Sequence, residues 1–596
     1  MVKNAKNVYF KNIFYRCSND IGKTWKNIRR IIAGNKRCGI SNISHNNFNY
    51  TNHEDISNVF SVYFSGISQQ IDNSIPPVDE SPLRYVNPNI ISSLFLNPVS
   101  NAECSAIIKS LKNKKTNVNC VSVRAVKSVS DIVSIYFSRI VNKSFGSGIF
   151  PNIFKQAIIV PIHKKGVHSD VGNYRPVSLL SFFSKILEKC IAVRLVSFLD
   201  NFSILNPDQF GFRRGLSTTD ALLDYMEFLY KNIDEKKHVI SVFVDFSKAF
   251  DTVKHDILLS KLEMYGIRGV ANDWFRSYLT GRSQRVRVGS SISEEKLIIN
   301  GVPQGSVLGS ILFLLYVNEI SNIFPELKAT LFADDTTLSA AQADIGNLVR
   351  TIDFGLDRFT AWAFANRLAL NAQKTNAILF SNRIQSHEVN FDINIGGVDI
   401  ELRECTRFLG LVVDNKLKFD SHLSTIATKL SKIVGIIYKL SFCLPQASLI
   451  KLYYCLFYPH ILYCNLIWGD TYAIHLNTIE LLQKKVVRII TGSAFLSHTD
   501  PLFCSTKILK VSDVHRYLLG IYMYRNLSSF STANHPYLTR QANDPLINYP
   551  RLSQSRHCIS FAGPQLWCNI PINIRTSPSL YLFKTSLKNY FLNQYN

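Results

Sequence analysis

Two periodicities of apolar and polar positions alternate along the chain. Helical spacing of apolar residues marks SFFSKILEKCIAVRLVSFLDN at 181–201 and TTDALLDYMEFLYKNI at 218–233. Within residues 1–50, VYFKNIFYRC and KTWKNIRRIIAG predict basic helices. NPVSNAECSAIIKSLKNKKT opens like a helix with Ser100 as N-cap, and DIVSIYFSRIVNKSFGSGIFP predicts a helix ended by Gly and Pro. GSILFLLYVNEISNIF, 309–324, predicts a mostly buried helix, and 421–497 predicts helices broken at Pro445 and Pro459. Strands are expected at AIIVPIH, 157–163, followed by a basic turn, at HVISVFVDF, 238–246, and at FLGLVVD, 408–414. ATLFADDTTL, 329–338, predicts a hairpin with its two aspartates at the tip. Residues 66–101, rich in Ser, Asn and Pro, read as a linker or irregular loop. No internal repeat interrupts this order, and strict βαβ alternation is scarce, so the fold class expected is α+β.

A chain of 596 residues exceeds what one core serves, so several packed subdomains are expected. Hydrophobic residues make up 46% of it, with 39 Phe and 26 Tyr, which argues against disorder. Lys and Arg exceed Asp and Glu by 67 − 43 = 24. The surplus is uneven: residues 1–40 carry ten Lys/Arg against Asp20 alone, and 551–596 carry five with no acid. One-signed charge of this kind points to a polyanionic partner, nucleic acid before anionic membrane. Twelve cysteines are scattered without any CxxC, which disfavours a disulfide framework. Cys455, His460 and Cys464 are spaced loosely like ligands, but their apolar run favours core packing. The N-terminus lacks a signal-peptide core and the longest apolar runs fall short of a bilayer span, so a reduced intracellular compartment is expected.

Asp245 ends a buried strand, and Asp334 and Asp335 sit on the expected hairpin. An Asp-Asp pair alone is an ordinary turn signal. Here apolar residues flank it on both sides, so its backbone belongs to a sheet. Like charges at a low-dielectric core need compensation, or one takes up a proton. Two hard divalent cations meet that need, Mg²⁺ in particular where phosphates complete the shell, and such a pair stabilises both oxygens of a phosphoryl displacement.

VFVDFSKAFDTV, GVPQGSVLGSILF and LFADD, in that order, resemble the polymerase motifs of reverse transcriptases. NYRPVSLLS, QFGFRRGLST, NAQKT and FLGLVVDNKLKFDSHL extend the resemblance over about 140–420, and LYYCLFYPHILYC, KKVVRIITG and FAGPQLWCNIPINIR carry it into the tail. The chain is most similar to non-LTR retrotransposons of the jockey-like kind. FADD carries Phe332 where many of these have Tyr, which alters a ring hydroxyl and no metal ligand.

The resemblance implies a right-hand polymerase with fingers, palm and helical thumb. Residues 1–135 would form a basic helical N-terminal extension, 136–416 fingers and palm, and 417–596 the thumb and a basic C-terminal region. It implies Asp245, Asp334 and Asp335 as catalytic, metal-binding acids for two Mg²⁺ ions, with Mn²⁺ as a substitute. Lys164 and Arg175 would face the triphosphate, although Lys165 fits as well as Lys164 by spacing. Phe250 would exclude a ribose 2′-hydroxyl, the alternative being a core Phe; Asp251 beside it would cap the next helix or bind metal. Gln304 and Gly305 would pack on the nascent base pair, and Lys374 would assist pyrophosphate departure or be an ordinary exposed lysine. Phe408, Leu409 and Gly410 resemble a primer grip, and Arg213 and Arg214 would contact template backbone.

The expected function is therefore RNA-directed DNA synthesis from dNTPs on an RNA template and a DNA primer, with no membrane partner. About 140 residues precede the polymerase motifs, and no acidic and His constellation of an apurinic-type endonuclease stands among them, so the expectation is either a truncated open reading frame or a nick made by an endonuclease supplied in trans. Synthesis is expected in the nucleus and ribonucleoprotein assembly in the cytoplasm. The rival readings are a non-catalytic domesticated RNA-binding protein and an intron- or telomerase-type reverse transcriptase.

Overall fold

The strand expected at 238–246 runs His238–Val244, and all seven of its residues are buried. Its alternating side chains explain why. Ile240, Val242 and Val244 enter one hydrophobic cluster, whereas Val239 and Phe243 enter another on the opposite face. A strand covered on both faces reads as a continuous apolar run. The computed structural model describes residues 2–17, 20–33, 39–87, 90–113, 122–382, 392–531 and 544–595. The end of the helix expected through NKKT, from residue 114, lies outside the described residues, as does Gly34, the last residue of KTWKNIRRIIAG.

This central strand belongs to a six-stranded sheet ordered 393–395, 398–402, 376–380, 238–244, 335–342 and 328–332. Neighbours pair antiparallel except for 376–380 with 398–402. The Phe182–Asn201, His255–Met264, Leu308–Tyr316 and Ile345–Ala365 helices bury one face, and Thr218–Asp234 lies across the other. The molecule is thus mixed α and β, as expected.

A second sheet orders Tyr174–Leu179, Gln156–His163, Arg282–Val288 and Ser291–Ile292, with Lys296–Ile298 also against Arg282–Val288. Its cover is a helix, His53–Ser74, which buries Ile56, Phe60, Phe64 and Ile67. The linker expected from residue 66 therefore begins only after Ser74. The polar composition of GISQQIDNS, 66–74, hid the end of an apolar stripe at i, i+4, i+8 and i+11. The first 135 residues are shared among three cores: Phe14 and Ile28 in one, Ile56 and Phe60 in a second, Ile107 and Ile108 in a third.

Beyond Asp420 the chain is helical, and Asp420–Ser441 packs on Ala473–Thr491. Pro445 does separate helices, as the N-cap of Gln446–Leu452. Pro459 does not break its segment. It stands directly after a π-helical Tyr453–Phe457, whose wider turn runs on into Tyr458–Leu462. Cys464 is buried as expected, but Cys455 is exposed. The helix expected over 309–324 ends at Tyr316 and resumes as a 3₁₀ turn at Ile320–Asn322, because Asn318 and Glu319 turn inward. No helix among the described residues is long and apolar enough to cross a membrane.

Glu319 explains how the helices beneath the sheet are locked. It forms a fully buried ion pair with Lys261. Trp362 Nε1 donates to its Oε1 at 3.1 Å, Tyr265 donates to its Oε2 at 3.3 Å, and Lys261 also donates to the Tyr316 carbonyl at 2.6 Å. Removing one partner strands a buried charge. Lys261→Met is expected to cost about 3–5 kcal/mol in urea denaturation, and Lys261→Met/Glu319→Gln distinctly less.

Candidate active site

Asp245 lies one residue past the central strand, and Asp335 opens the neighbouring strand. Thr336 pairs with Val244, so the next step of the register sets Asp335 opposite Asp245 with both side chains on one face. Asp334 occupies the two-residue turn of the hairpin, as expected. The three acids, 89 and 90 residues apart in sequence, therefore share one end of two paired strands.

The backbone around Asp245 is fixed from the 371–375 turn. Asp245 O accepts from Asn371 N at 2.8 Å, and its N–H donates to Thr375 Oγ1 at 3.3 Å. The same turn brings Lys374 Nζ to 3.5 Å from Asp245 Oδ2, so Lys374 is not an isolated surface lysine. Asp334 and Asp335 open to solvent. Partial burial nevertheless raises the Asp335 carboxyl to about 6, with Asp334 and Asp245 adding to the shift. Burial and Asp245 raise Asp334 too. Lys164 and Arg175 oppose these shifts. They come from one hairpin of the smaller sheet, where Ile162 pairs with Arg175. Lys164 and Lys165 both reach the site: burial and Arg175 press the Lys164 amine downward while Asp245 pulls it up, and Lys165 lines the adjoining groove.

That groove has a volume of about 660 Å³ and runs from Asp245 and Asp335 past Lys374 to Phe408, Leu409 and Gly410. The 408–414 segment is not one strand but a hairpin, Cys405–Phe408 with Leu411–Asp414. Leu409 (φ +46°) and Gly410 (φ +89°) form its turn. Tyr463 holds that turn: its hydroxyl donates to the Leu409 carbonyl, and a Cβ on Gly410 would meet its ring at 3.2 Å. Phe408 is buried against Tyr225 and Phe243, each with ring centroids 5.5 Å away.

Other residues take different places from those expected. Asp251 caps no helix; the next one begins after Lys254. Asp251 is instead half-buried in the short helix Ala249–Thr252, where Gln304 Nε2 donates to both its oxygens at 2.9 Å. The Gln304 amide is thus committed to Asp251, beside a small cavity under the His53–Ser74 helix. Gly305 (φ +104°) is required by the approach of Ser178 O, 3.2 Å from where a Cβ would stand. The strand that carries Arg175 is laced to this loop by Ser178 N donating to Gln304 O at 2.9 Å. Glu188, buried, accepts from Val307 N at 2.7 Å and so anchors the far end of the loop. Phe250 stacks on Phe313 at 4.3 Å and meets the edge of exposed Phe212 at 6.2 Å. Arg213 spends its guanidinium on the carbonyls of Asn206 at 2.9 Å and Gln209 at 3.3 Å, while Arg214 is exposed.

Lys248 was not anticipated. It lies between Asp245 and Phe250 in FSKAF, which was the available signal. Its Nζ donates to Gly172 O at 3.3 Å and sits 5.9 Å from the Tyr63 ring. Burial lowers its pKa, with Lys164, Lys374 and Arg175 adding to the effect and Asp251 opposing it. Lys164 and Arg175 from one hairpin and Lys374 from the 371–375 turn therefore face the acids, with Lys248 beside them near Asp251.

A hard-cation site fits this donor set: carboxylate oxygens only, two of them opposed across a strand pair. Among the described residues no group of three or more His, Cys, Asp or Glu side chains is gathered closely enough to hold a metal ion, the three acids included.

Comparison with known proteins gives a consistent result. The family described as reverse transcriptase (RNA-dependent DNA polymerase) matches residues 162–413. The chain is 30% identical over 424 residues to the probable RNA-directed DNA polymerase from transposon X-element of Drosophila melanogaster, covering 68% of this chain and 45% of that protein. It is 28% identical over 461 residues to the RNA-directed DNA polymerase from mobile element jockey of the same organism, covering 74% and 49%. It is 30% identical over 435 residues to the probable RNA-directed DNA polymerase from transposon BS, also of Drosophila melanogaster, covering 70% and 46%. The chain thus spans about half the length of these curated relatives.

Burial raises the Asp251 carboxyl from 3.8 to about 6. An acid whose folded pKa is raised stabilises the fold most below its unfolded pKa, and that contribution is lost as pH rises through the folded value. The wild type should therefore lose on the order of 2–3 kcal/mol from this group between pH 4 and 6.5. Asp251→Asn, which keeps an acceptor for Gln304, should lack that loss, as the difference between paired urea titrations at the two pH values will show.

Proposed function

Because residues 162–413 belong to the reverse transcriptase family, we propose that this chain is an RNA-directed DNA polymerase of a jockey-like non-LTR retrotransposon. The observation that carries the reading is the register that sets Asp335 opposite Asp245, with Asp334 in the adjoining turn, beneath Lys164, Arg175 and Lys374. In this reading the six-stranded sheet and its helices are the palm, and the smaller sheet with its covering helix is the fingers. The helices after Asp420 are the thumb, within the partition at residues 135 and 416 given above.

Asp245, Asp334 and Asp335 would hold two Mg²⁺ ions, which supply charge neutralisation at the attacking and leaving oxygens of nucleotidyl transfer. The primer 3′-hydroxyl displaces pyrophosphate from the α-phosphate of a dNTP, a reaction governed by positioning and electrostatics. Lys164 and Arg175, projecting from the fingers hairpin, neutralise the triphosphate; the Arg fork suits phosphate oxygens. Lys248 stands behind them, held by Gly172 O. Lys374 rests on Asp245 in the free protein and is placed to exchange that carboxylate for the leaving pyrophosphate. Phe250, braced by Phe313, is rigid enough to exclude a ribose 2′-hydroxyl. The Leu409–Gly410 turn, pinned by Tyr463, faces the groove where the primer end would lie. Exposed basic residues of the helical region hold template–primer duplex through its phosphates, without reading sequence.

Primer extension on poly(rA) with oligo(dT) tests this reading. Wild type should extend with Mg²⁺ or Mn²⁺, and Asp334→Ala should lose about 10³-fold in rate while binding duplex within about twofold. Equal extension by the variant, or none by the wild type with either metal, favours a non-catalytic RNA-binding protein. Phe250→Val should relax discrimination against ribonucleotides by about 10–100-fold in relative kcat/KM.

A further inference from the structure

The hairpin that carries Asp334 and Asp335 closes in a strained turn. Phe332 pairs with Asp335, leaving Ala333 and Asp334 as the two turn residues. Of the two, Ala333 has positive φ, +60°, a pattern whose first position favours Gly. A residue with a Cβ persists in that region only where its surroundings over-determine it, and such sites are often functional.

Those surroundings come from the 206–211 loop, about 120 residues earlier. Gln209 is 2% exposed, and its Oε1 accepts from Ala333 N at 3.0 Å and from Gly211 N at 2.9 Å. The approach is so close that a Cβ on Gly211 would stand 2.3 Å from Ala333 N. The loop is independently tied to the strand before the turn. Phe210 N donates to Leu331 O at 2.8 Å, Leu331 N donates to Asp208 O at 3.0 Å, and Lys328 pairs with Asp208 at 2.7 Å. The amide oxygen of Gln209 is therefore not needed to attach the loop. Of its two acceptor contacts, the one to Ala333 N serves the turn, and the one to Gly211 N holds the amide in place within its own loop.

We propose that Gln209 is a positioning residue, whose buried amide oxygen clamps the left-handed Ala333 and thereby fixes the direction of the Asp334 carboxylate. The inference rests on the polymerase reading for its consequence and on the turn geometry for its substance. Gln209 touches no reacting atom; it acts through the backbone that precedes the ligand. With the clamp gone, Ala333 relaxes toward negative φ, and the carboxylate swings out of line with Asp245.

The test uses the full chain as wild type, Gln209→Met, Ala333→Gly and the double variant. Met fills the same volume without an acceptor, and the remaining loop contacts keep the fold. Gly at 333 adopts the left-handed turn without a clamp. In Gln209→Met, the amide of Ala333 should exchange about tenfold faster, measured on peptides spanning 331–336. Mn²⁺ affinity, read by electron paramagnetic resonance, should fall about fivefold to tenfold, comparable to loss of an outer-shell partner. The rate of primer extension should fall about 10–100-fold, with KM for dNTP and duplex affinity within about threefold. Ala333→Gly in the Gln209→Met background should restore at least fivefold of the Mn²⁺ affinity and of the rate. The inference is overturned if the Ala333 amide is unprotected in the wild type. It is overturned equally if Gln209→Met keeps Mn²⁺ affinity, or if Ala333→Gly restores nothing. Should the wild type fail to extend a primer at all, the polymerase reading falls, while exchange and Mn²⁺ binding still decide the role of Gln209.

Discussion

The pairing of His238–Val244 with Asp335–Gln342 is the constraint on which the site depends. Its register places two carboxylates opposite one another at the open end of the sheet. A slip of one residue would turn Asp335 to the far face, because side chains alternate with a period of two. The register is secured along its whole length by burial on both faces, so the repulsion at its end is carried by apolar packing. The Asp335 carboxyl is raised chiefly by burial, with Asp334 and then Asp245 adding to the shift.

Everything near the acids is arranged to hold other groups toward this strand end. The smaller sheet contributes Lys164 and Arg175, the 371–375 turn contributes Lys374, and the turn after the central strand contributes Lys248. Backbone hydrogen bonds lace the segments together: Asn371 to Asp245, Ser178 to Gln304, and Val302 to Phe250. Beneath them buried charges act as rivets, with Glu188 on the loop before Leu308 and Glu319 among three helices. Rigid elements carrying the cations and acids let positioning supply the rate.

Several elements were legible in advance because their signals are local. The β-branched and aromatic run that predicts the strand at 238–246, the apolar spacing of 181–201 and 218–233, and the turn at FADD each depend on neighbours a few residues away. The acids, Lys164, Arg175 and Lys374 were legible through motif resemblance, and the structure gathers them. Other side chains resisted because their partners are distant. Gln304 was expected at a base pair but binds Asp251, a residue 53 positions earlier. Arg213 was expected on template, yet two loop carbonyls absorb it. Gln209 carries no local mark that separates it from ordinary polar residues, and Lys248 only its place between Asp245 and Phe250.

The sequence by itself determined an α+β chain with a strongly basic balance and acids set where a sheet ends. These follow from periodicity, composition and spacing, which are properties of a segment alone. Only the tertiary structure decided which polar groups are free to meet a substrate and which are consumed within the protein. The reason is physical: a buried donor or acceptor must find a partner, and the nearest one in space is often far away in sequence. The direction of Gln304, the clamp on Ala333 and the inward turn of Glu319 are all settled by that requirement.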